Sequence, residues 1–283
     1  MDRSEQRARA EGFLALHAGS SLFVLPNAWD VVSARIFARS PSCRALATTS
    51  AGIAAVLGYP DGGVSPREEM LEMVGRIARA VEVPVSADVE AGYGASTEAA
   101  AETAAEVIAA GAVGLNLEDA WHGGASPLLS LEQQVERIEA IREVGEREGL
   151  PLVINARTDV YLRQVGEPEG RFEETVRRAN AYTAAGADCI FVPDATDGET
   201  IGRLAKALDG PLNVFADLES PPIAELERLG VRRLSIGPQA QRASFALTAR
   251  IAEELLEKRN LGFISQTMSR AEVRRLLESP ENA

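Results

Sequence analysis

The sequence has few cysteines and no excess of basic charge, and each of these two shortages excludes classes of protein. Aromatic residues are few as well. Two cysteines, Cys43 and Cys189, occur in 283 residues, and they lie in separate apolar segments without the spacing of metal ligands. A disulfide framework and a cysteine-ligated metal site are therefore not indicated. We interpret both residues as buried thiols of a protein from a reducing compartment, which for this chain predicts the cytoplasm.

Basic patches and long apolar runs are missing as well. The formal net charge is −13 at pH 7, so neither a nucleic acid nor an anionic membrane is expected as a partner. The first 20 residues mix charges into a helical pattern, unlike a signal peptide, and no run reaches the ~18 apolar residues of a membrane span. The 46% hydrophobic content is that of an ordinary soluble α/β protein.

Short apolar segments alternate with helical patterns along most of the chain. Ser and Asp caps mark many helix starts, and glycines mark many ends. Eight strand-then-helix units predict an α/β fold of the (β/α)₈ or TIM barrel class, with a leading helix at 3–18. A doubly wound open sheet is the main alternative, but no GxGxxG follows the first strand. The predicted strands are 22–25, 45–50, 83–88, 113–117, 152–154, 189–192, 212–215 and 233–236.

The end of the chain extends beyond the eighth unit. We predict a barrel domain with its leading helix over 1–260, and a linker with one more helix, at about 269–277, over 261–283. A helix attached beyond a complete barrel either packs on a neighbouring subunit or covers the bottom of the barrel. This favours a homo-oligomer.

Two acidic residues follow the third predicted strand, in the segment VPVSADVEAGYG at 83–94. Asp88 and Glu90 are two positions apart, so on a strand their side chains point to the same side. The two carboxylates repel each other unless a cation lies between them, and a hard ion such as Mg²⁺ prefers oxygen ligands. The alternative is a solvated acidic loop.

Other polar residues follow neighbouring strands and would converge at the same face of a barrel. Glu118 follows the fourth strand and Arg157 the fifth. A divalent ion held by these acids, directly or through water, would chelate a 2-oxo acid and stabilise its enolate. Arg157 could clamp a second anionic group of the substrate, although it could instead simply pair with Asp159.

The second strand would supply a binding turn. It ends at Ser50, and the amides of Ala51 and Gly52 have no bulky side chains beside them, so they could bind a carboxylate oxygen. Ser50 could equally be an ordinary turn residue, and Glu118 could cap the following loop. The inference therefore depends on the whole set of residues converging.

Four sequence motifs carry a family resemblance: TTSAG followed by GYPD, SADVEAGYG, GLNLED and INARTD. With these, the chain resembles the isocitrate lyase and phosphoenolpyruvate mutase superfamily from about residue 22 to 258. The resemblance implies a (β/α)₈ barrel, Mg²⁺ with Mn²⁺ as a possible substitute, and an enolate-type intermediate of a 2-oxo acid. It also implies a tetramer of dimers that exchange the last barrel helix.

The resemblance also implies roles for individual residues. The direct metal ligand corresponds to Asp88, and the outer-sphere acids correspond to Glu90 and Glu118. The remaining matches are Asp61 as an acid near the metal waters, 50–52 as the carboxylate-binding turn, and Arg157 as the arginine at the anionic end of the substrate.

The chain departs from the family pattern after Glu118. Lyase members have Lys-Lys/Arg-Cys-Gly-His in the next loop, and mutase or phosphonopyruvate hydrolase members have a Lys and an Asn there. This chain reads EDAWHGGASP, so cleavage of isocitrate or methylisocitrate by the usual thiol is not expected. His122 is the one group of the loop that could move a proton near neutral pH. The alternative is a surface histidine in a flexible loop.

These features predict a Mg²⁺-dependent lyase-type enzyme that cleaves or rearranges the C–C or C–P bond β to the carbonyl of a small 2-oxo acid or phosphonate. Oxaloacetate decarboxylation and phosphonopyruvate rearrangement are the two models. A non-catalytic or regulatory binder of 2-oxo acid anions is the alternative. A Schiff-base aldolase is disfavoured, because Lys206 and Lys258 both lie in predicted helices rather than at strand ends.

Overall fold

The computed structural model describes residues 2–63, 65–121 and 126–278, which form a ring of parallel strands surrounded by helices. The strands are β1 Phe23–Leu25, β2 Asn27–Ala28, β3 Leu46–Thr48, β4 Val85–Asp88, β5 Gly114–Glu118, β6 Val153–Arg157, β7 Cys189–Phe191, β8 Leu212–Phe215 and β9 Arg233–Ser235.

Most connections between the strands are helical, as the alternating sequence pattern predicts. The helices are α1 Arg3–Ala18, α2 Val31–Ala38, α3 Ser50–Leu57, α4 Arg67–Ala80, α5 Thr97–Ala109, α6 Leu131–Arg147, α7 Arg171–Ala184, α8 Gly198–Ala207, α9 Ile223–Leu229, α10 Gln239–Leu256 and α11 Arg270–Leu277. No helix in the described ranges combines the length and the apolar composition that crossing a bilayer requires.

The strand order confirms the predicted (β/α)₈ barrel. Neighbouring strands pair in parallel from β2 through β9, and β9 then pairs with β1. Nine strands replace the eight expected because Pro26 separates β1 from β2. Proline has no N–H to give to a ladder, so the first barrel strand is split into one half that pairs with β9 and another that pairs with β3.

Asn27 bridges the seam where this first strand is split. Its Oδ1 accepts hydrogen bonds from the amides of Ile236 and Gly237, both at 2.9 Å, and its Nδ2 donates to the Thr48 carbonyl at 2.9 Å. The side chain therefore connects β2 with the strands on both sides. It supplies the hydrogen bonds across the gap left by the proline.

The predicted strand at 45–50 is shorter in the structure, and a helix that was not predicted follows it. β3 ends at Thr48, and Ser50 begins α3. The Thr49 side chain caps α3 by accepting from the Gly52 amide at 3.3 Å, and Gly58 ends the helix with a φ of 87°. The Ala-rich segment between these caps favours a helix.

Helix α1 closes the amino-terminal end of the barrel. Phe13 packs so closely on β5 that a Cβ at Gly114 would lie 2.9 Å from the Phe13 ring. His17 packs edge-on against both Phe13 and Phe23, with ring centroids 4.8 and 4.9 Å apart. Glycine is therefore required at this position of β5, because any larger residue would collide with the Phe13 ring.

The two C-terminal helices behave differently. α11 packs on α2 of the same chain, with Leu276 buried and Arg35 Nη1 donating to the Leu276 carbonyl at 3.1 Å. α10 is almost entirely exposed, and Gln241 is the residue that it buries. Whether residues 261–283 form a separate unit stays a prediction.

The buried His17 predicts a pH dependence of stability. Burial, with a smaller contribution from the Arg233 charge, lowers the pKa of His17 from 6.5 to about 3. Below pH 6.5 the unfolded chain therefore binds a proton that the folded chain does not bind. Because of this extra proton, the free energy of unfolding should fall by about 1.4 kcal/mol for each unit by which the pH drops below 6.5.

We expect His17→Phe to remove this dependence. Between pH 7 and pH 5, wild-type stability should drop by about 2 kcal/mol more than that of the variant, as measured by urea unfolding at the two pH values. Because the carboxylates titrate in both proteins, their contribution cancels in the difference. Equal drops in the two proteins would contradict a neutral, buried His17.

Candidate active site

The carboxyl ends of β4, β5 and β6 bring the main predicted side chains together. Glu118 and Arg157 are direct neighbours in the β5–β6 ladder, and Arg157 Nη1 lies 2.8 Å from Glu118 Oε2. Asp88 ends β4, whose register places it beside Asn116, two residues before Glu118. The negative charges of Asp88 and Glu90 both act on Glu118. The predicted convergence of these side chains is therefore present in the structure.

Asp88 is held by the start of α3. Its Oδ2 accepts from the Ser50 amide at 2.9 Å and from Ser50 Oγ at 2.8 Å, and its own amide donates to Thr48 Oγ1 at 2.8 Å. The predicted binding turn at 50–52 is thus the first turn of a helix. Two of its three amides are engaged within the chain, because the Gly52 amide donates to the Thr49 cap.

Arg157 forms both of the contacts considered from the sequence. Nε lies 2.5 Å from Asp159 Oδ1 and Nη2 lies 3.0 Å from Asp159 Oδ2, while Nη1 contacts Glu118. Burial alone would lower the pKa of Arg157, but Glu118 and Asp159 outweigh it and hold that pKa above its ordinary value. A guanidinium has five N–H groups, and these contacts engage three, so two can still reach a ligand.

Glu90 is the most constrained acid of the cluster. It is buried, with 8% of its surface exposed, and its φ of 52° is in the left-handed region that non-glycine residues rarely adopt. Burial, together with the charges of Asp88 and Asp61, raises the pKa of Glu90 to about 7, and Arg157 offsets part of this shift. Asp61 itself is exposed, in the loop before α4.

Glu118 lies deeper than Glu90. Burial raises its pKa even though Arg157 contacts it, and the nearby charges of Asp159 and Asp88 add to the shift. Several carboxylates thus share one guanidinium in a poorly solvated place. Their mutual repulsion is what a bound cation would relieve.

The donor set fits a hard divalent cation. All the donors are carboxylate oxygens, which suit Mg²⁺ or Mn²⁺. In the described ranges no three His, Cys, Asp or Glu side chains lie close enough to ligate one ion together. Direct ligation by Asp88, Glu90 and Glu118 at once is therefore not supported by this arrangement. An ion here would use one or two carboxylates and keep several waters, as Mg²⁺ commonly does.

The predicted roles of His122 and Ala51 are not tested by any contact that the structure describes. His122 lies outside the described residues, so its role stays a prediction. Ala51 lies in the first turn of α3, behind the Ser50 side chain that binds Asp88.

A buried network beside the site was missed from the sequence. Asp119 Oδ2 accepts from Thr158 Oγ1 and the Tyr182 hydroxyl, both at 2.8 Å, and from Arg178 Nη1 at 3.2 Å. Its Oδ1 accepts from the Asp159 amide at 2.9 Å. The network fixes Asp159, which in turn orients Arg157. The sequence signal for this network was the pair of acids in GLNLED. The second acid of the pair, Asp119, has a structural role.

Aromatic side chains lie at the strand ends next to the charged part of the barrel mouth. Phe191 is the ladder neighbour of Arg157, and the guanidinium lies 5.7 Å from its ring centroid. Phe215 ends β8, and a Cβ at Gly237 would lie 2.7 Å from its ring. The mouth is therefore charged on the side of β4 to β6 and aromatic on the side of β7 and β8. The sequence indicated these residues as strand ends but not as one surface.

The barrel and its strand-end carboxylates define an enzyme of the TIM-barrel class, with its polar groups where such barrels carry their chemistry. Comparison with known proteins gives the family. The family model described as phosphoenolpyruvate phosphomutase matches residues 13–256. The chain therefore belongs to the phosphoenolpyruvate mutase/isocitrate lyase superfamily, whose members include lyases, decarboxylases and phosphonomutases. This confirms the resemblance seen in the motifs.

Individual relatives agree over most of their length. The chain is 31% identical to oxaloacetate decarboxylase of Ectopseudomonas mendocina over 255 residues, 88% of this chain and 84% of that protein. A Burkholderia cenocepacia protein named only as a lyase/mutase has 34% identity and a TM-score of 0.91, covering 99% of both chains. A 2,3-dimethylmalate lyase structure has 27% identity and a TM-score of 0.83, covering 98% and 96%.

The Asp119 network predicts a large stability effect away from the mouth. Asp119→Asn keeps the shape but removes the buried charge that faces Arg178, so the free energy of unfolding should fall by about 3 kcal/mol. Chemical denaturation measures this. The matched control is Glu174→Gln, which removes the half-exposed partner of Arg178 and should cost about 1 kcal/mol or less. Similar losses of stability in both variants would contradict the claim that Asp119 is the main stabilising acid of this network.

Proposed function

We propose that this protein is a Mg²⁺-dependent lyase that cleaves the C–C bond β to the carbonyl of a small, oxaloacetate-like 2-oxo acid. The observation that carries the proposal is the contact of Glu118 with Arg157, beside Asp88 and Glu90, at the carboxyl ends of β4 to β6. The names of the relatives support C–C cleavage of small carboxylic acids, since they include an oxaloacetate decarboxylase and a 2,3-dimethylmalate lyase.

The carboxylate cluster supplies the metal site of the proposal. Asp88 is the candidate direct ligand, because it is less buried than the two glutamates and the Ser50 contacts fix its Oδ2. Glu90, Glu118 and the exposed Asp61 would accept hydrogen bonds from waters around the ion. When bound there, the cation supplies a positive charge next to the substrate's keto oxygen, where negative charge develops as the bond breaks.

Arg157 orients the anionic end of the substrate. Asp159 and Glu118 hold its guanidinium in one plane, and the two N–H groups that these contacts leave can donate to a single carboxylate. Because the orientation is set before binding, little side-chain entropy is lost when the substrate arrives. We assign the amide of Ala51, the residue after Ser50, as a further donor to a substrate carboxylate.

The aromatic side of the mouth favours C–C over C–P chemistry. A substrate whose oxygens face β4 to β6 turns its remaining part toward Phe191 and Phe215. A phosphonate dianion placed against two phenyl rings would lose hydration without gaining hydrogen bonds. A departing carbon dioxide or alkyl fragment loses far less hydration free energy in that position. Proton return to the product carbon is assigned to His122, which stays a prediction.

The proposal predicts metal-dependent turnover that depends on Asp88. With Mg²⁺ present, wild type should release pyruvate from oxaloacetate above the metal-only blank, and Asp88→Asn should lower kcat/KM on the order of 100-fold. EDTA should abolish the wild-type rate. The matched control is Asp194→Asn, an exposed acid at the end of another strand, which should keep the wild-type rate.

The same assay, extended to 2,3-dimethylmalate and phosphonopyruvate, separates the alternatives. Faster turnover of phosphonopyruvate would favour the C–P reaction. A thermal shift with Mg²⁺ and oxalate, without turnover of any of the three compounds, would favour the non-catalytic binder. Equal rates for wild type and Asp88→Asn would remove the metal site from the proposal.

We also propose a homo-oligomer in which α10 packs on a second copy of the chain. α10 exposes large apolar residues, among them Phe245 at 50% and Leu256 at 73%. On the barrel, Val24 of β1 is 41% exposed on a strand that a helix would normally cover. An uncovered strand and an unpacked helix in one chain support an exchange of the last barrel helix between two copies.

If α10 forms the interface between two copies, a substitution in α10 should change the oligomeric state. Phe245→Asp places a charge in the proposed interface and should shift the protein toward the monomer in sedimentation velocity. Leu218→Asp is the matched control, because Leu218 is fully exposed in the loop before α9, and it should leave the assembly unchanged. A wild-type monomer, or a Phe245→Asp oligomer of unchanged mass, would rule out the exchange.

A further inference from the structure

The interior of the barrel contains a polar layer that the proposed reaction does not use. Ser86, Asn155 and Asn213 lie on β4, β6 and β8, each two positions before the residue that reaches the mouth. Since side chains two apart on a strand share a face, all three point into the barrel. Branched apolar side chains usually fill such positions. Here each side chain has a buried polar atom without a hydrogen-bond partner in the part of the chain that the structure describes.

A charged residue lies in the same interior. Arg233 on β9 is completely buried, and it forms no ion pair with any described residue. Nη2 donates to Asn116 Oδ1 at 3.4 Å, and the guanidinium lies 5.8 Å from the Phe13 ring centroid. Nε and Nη1 have no hydrogen-bond partner among the described residues. Burial lowers the pKa of Arg233 only to about 10, so the group is a cation at neutral pH.

The unpartnered atoms belong to one region of the interior. Asn116 Oδ1 accepts from both Arg233 and Asn155, which places those two side chains within reach of each other. Arg233 is also the ladder neighbour of Asn213 on one side and of Phe23 on the other. His17 packs on Phe23, and its buried Nε2 is unpartnered as well.

These atoms include both donors and acceptors. Arg233 Nε and Nη1 and Asn213 Nδ2 can only donate, and Asn155 Oδ1 can only accept. His17 Nδ1 faces the Phe13 carbonyl at 2.9 Å, so it carries the ring proton, and Nε2 is left as an acceptor. Ser86 Oγ can act in either sense.

We propose that Arg233, Asn213, Asn155 and His17 enclose an internal water site at the centre of the barrel. Water accepts from Arg233 and Asn213 and donates to Asn155 and His17, so it satisfies both kinds of atom. A monovalent anion would satisfy the donors alone and would be repelled by the two acceptors. Roughly one buried water per 27 residues is usual, so a small cluster is within the ordinary range for a chain of this length.

The site would explain how a cation without a contacting counter-charge remains inside a closed barrel. Water molecules around Nε and Nη1 replace the hydration that the guanidinium loses on folding. Arg233 contacts Asn116 and Phe13 and none of the carboxylates of the mouth, although the charge of Asp88 acts on it at longer range.

Two measurements test the site. In a high-resolution crystal structure of the wild-type protein, we expect ordered water within hydrogen-bond distance of Arg233 Nε or Nη1. In solution, magnetic relaxation dispersion of the water oxygen nucleus detects long-lived internal water. Its amplitude should fall by at least one water in Arg233→Met and stay unchanged in Arg232→Met, which changes the partly exposed residue just before the same strand.

Asn213→Leu is the second variant if Arg233→Met does not fold, and the same loss is expected. The wild-type crystal structure needs no variant at all. A dry interior, or equal relaxation amplitudes in wild type and both interior variants, would overturn the proposal. An anomalous peak at Arg233 in crystals grown with bromide would overturn it too, because the ligand would then be an anion.

Discussion

The arrangement of the barrel mouth depends on Arg157 holding two buried carboxylates at once. Glu118 and Asp159 come from different parts of the chain, and both contact this guanidinium in a place with little water. Buried carboxylates without a counter-charge are costly, and breaking such a pair costs roughly 3–5 kcal/mol. The arginine contacts two acids directly, and its single positive charge cannot also balance the neighbouring Asp88 and Glu90 in full. The surplus of negative charge that remains is the physical reason for expecting a cation there.

The sequence predicted the barrel and the converging strand ends because both follow from local rules. Alternating strands and helices indicate parallel strands, whose carboxyl ends meet at one face. The positions of Asp88, Glu118 and Arg157 then follow from counting residues within strands. The broken first strand was not predicted. Pro26 gives only a local signal, and the partner that closes the gap, Asn27, is recognisable only when the strands on both sides are known.

Contacts between distant parts of the chain could not be read from the pattern. Asp119 looked equivalent to Glu118 in the sequence, yet it is held by Thr158 and Tyr182, 39 and 63 residues away. The start of α3 at Ser50 also depends on tertiary context, because Asp88 accepts from both the amide and the hydroxyl of that residue. Local propensity allowed a turn or a helix there, and the contact with β4 selects the helix.

The mouth has a charged side and an aromatic side, and the two have different roles. In the proposed reaction, the charged side carries the chemistry and the aromatic side carries substrate specificity, so evolution can change one without the other. Asp88, Glu118 and Arg157 depend on one another for their charge balance, so an exchange at one of them disturbs the others. Phe191 and Phe215 carry no charge, and their one described interaction with the charged set is the contact of the Phe191 ring with Arg157. New specificities can therefore arise by replacing side chains on β7 and β8, while the older chemistry on the other strands is inherited intact.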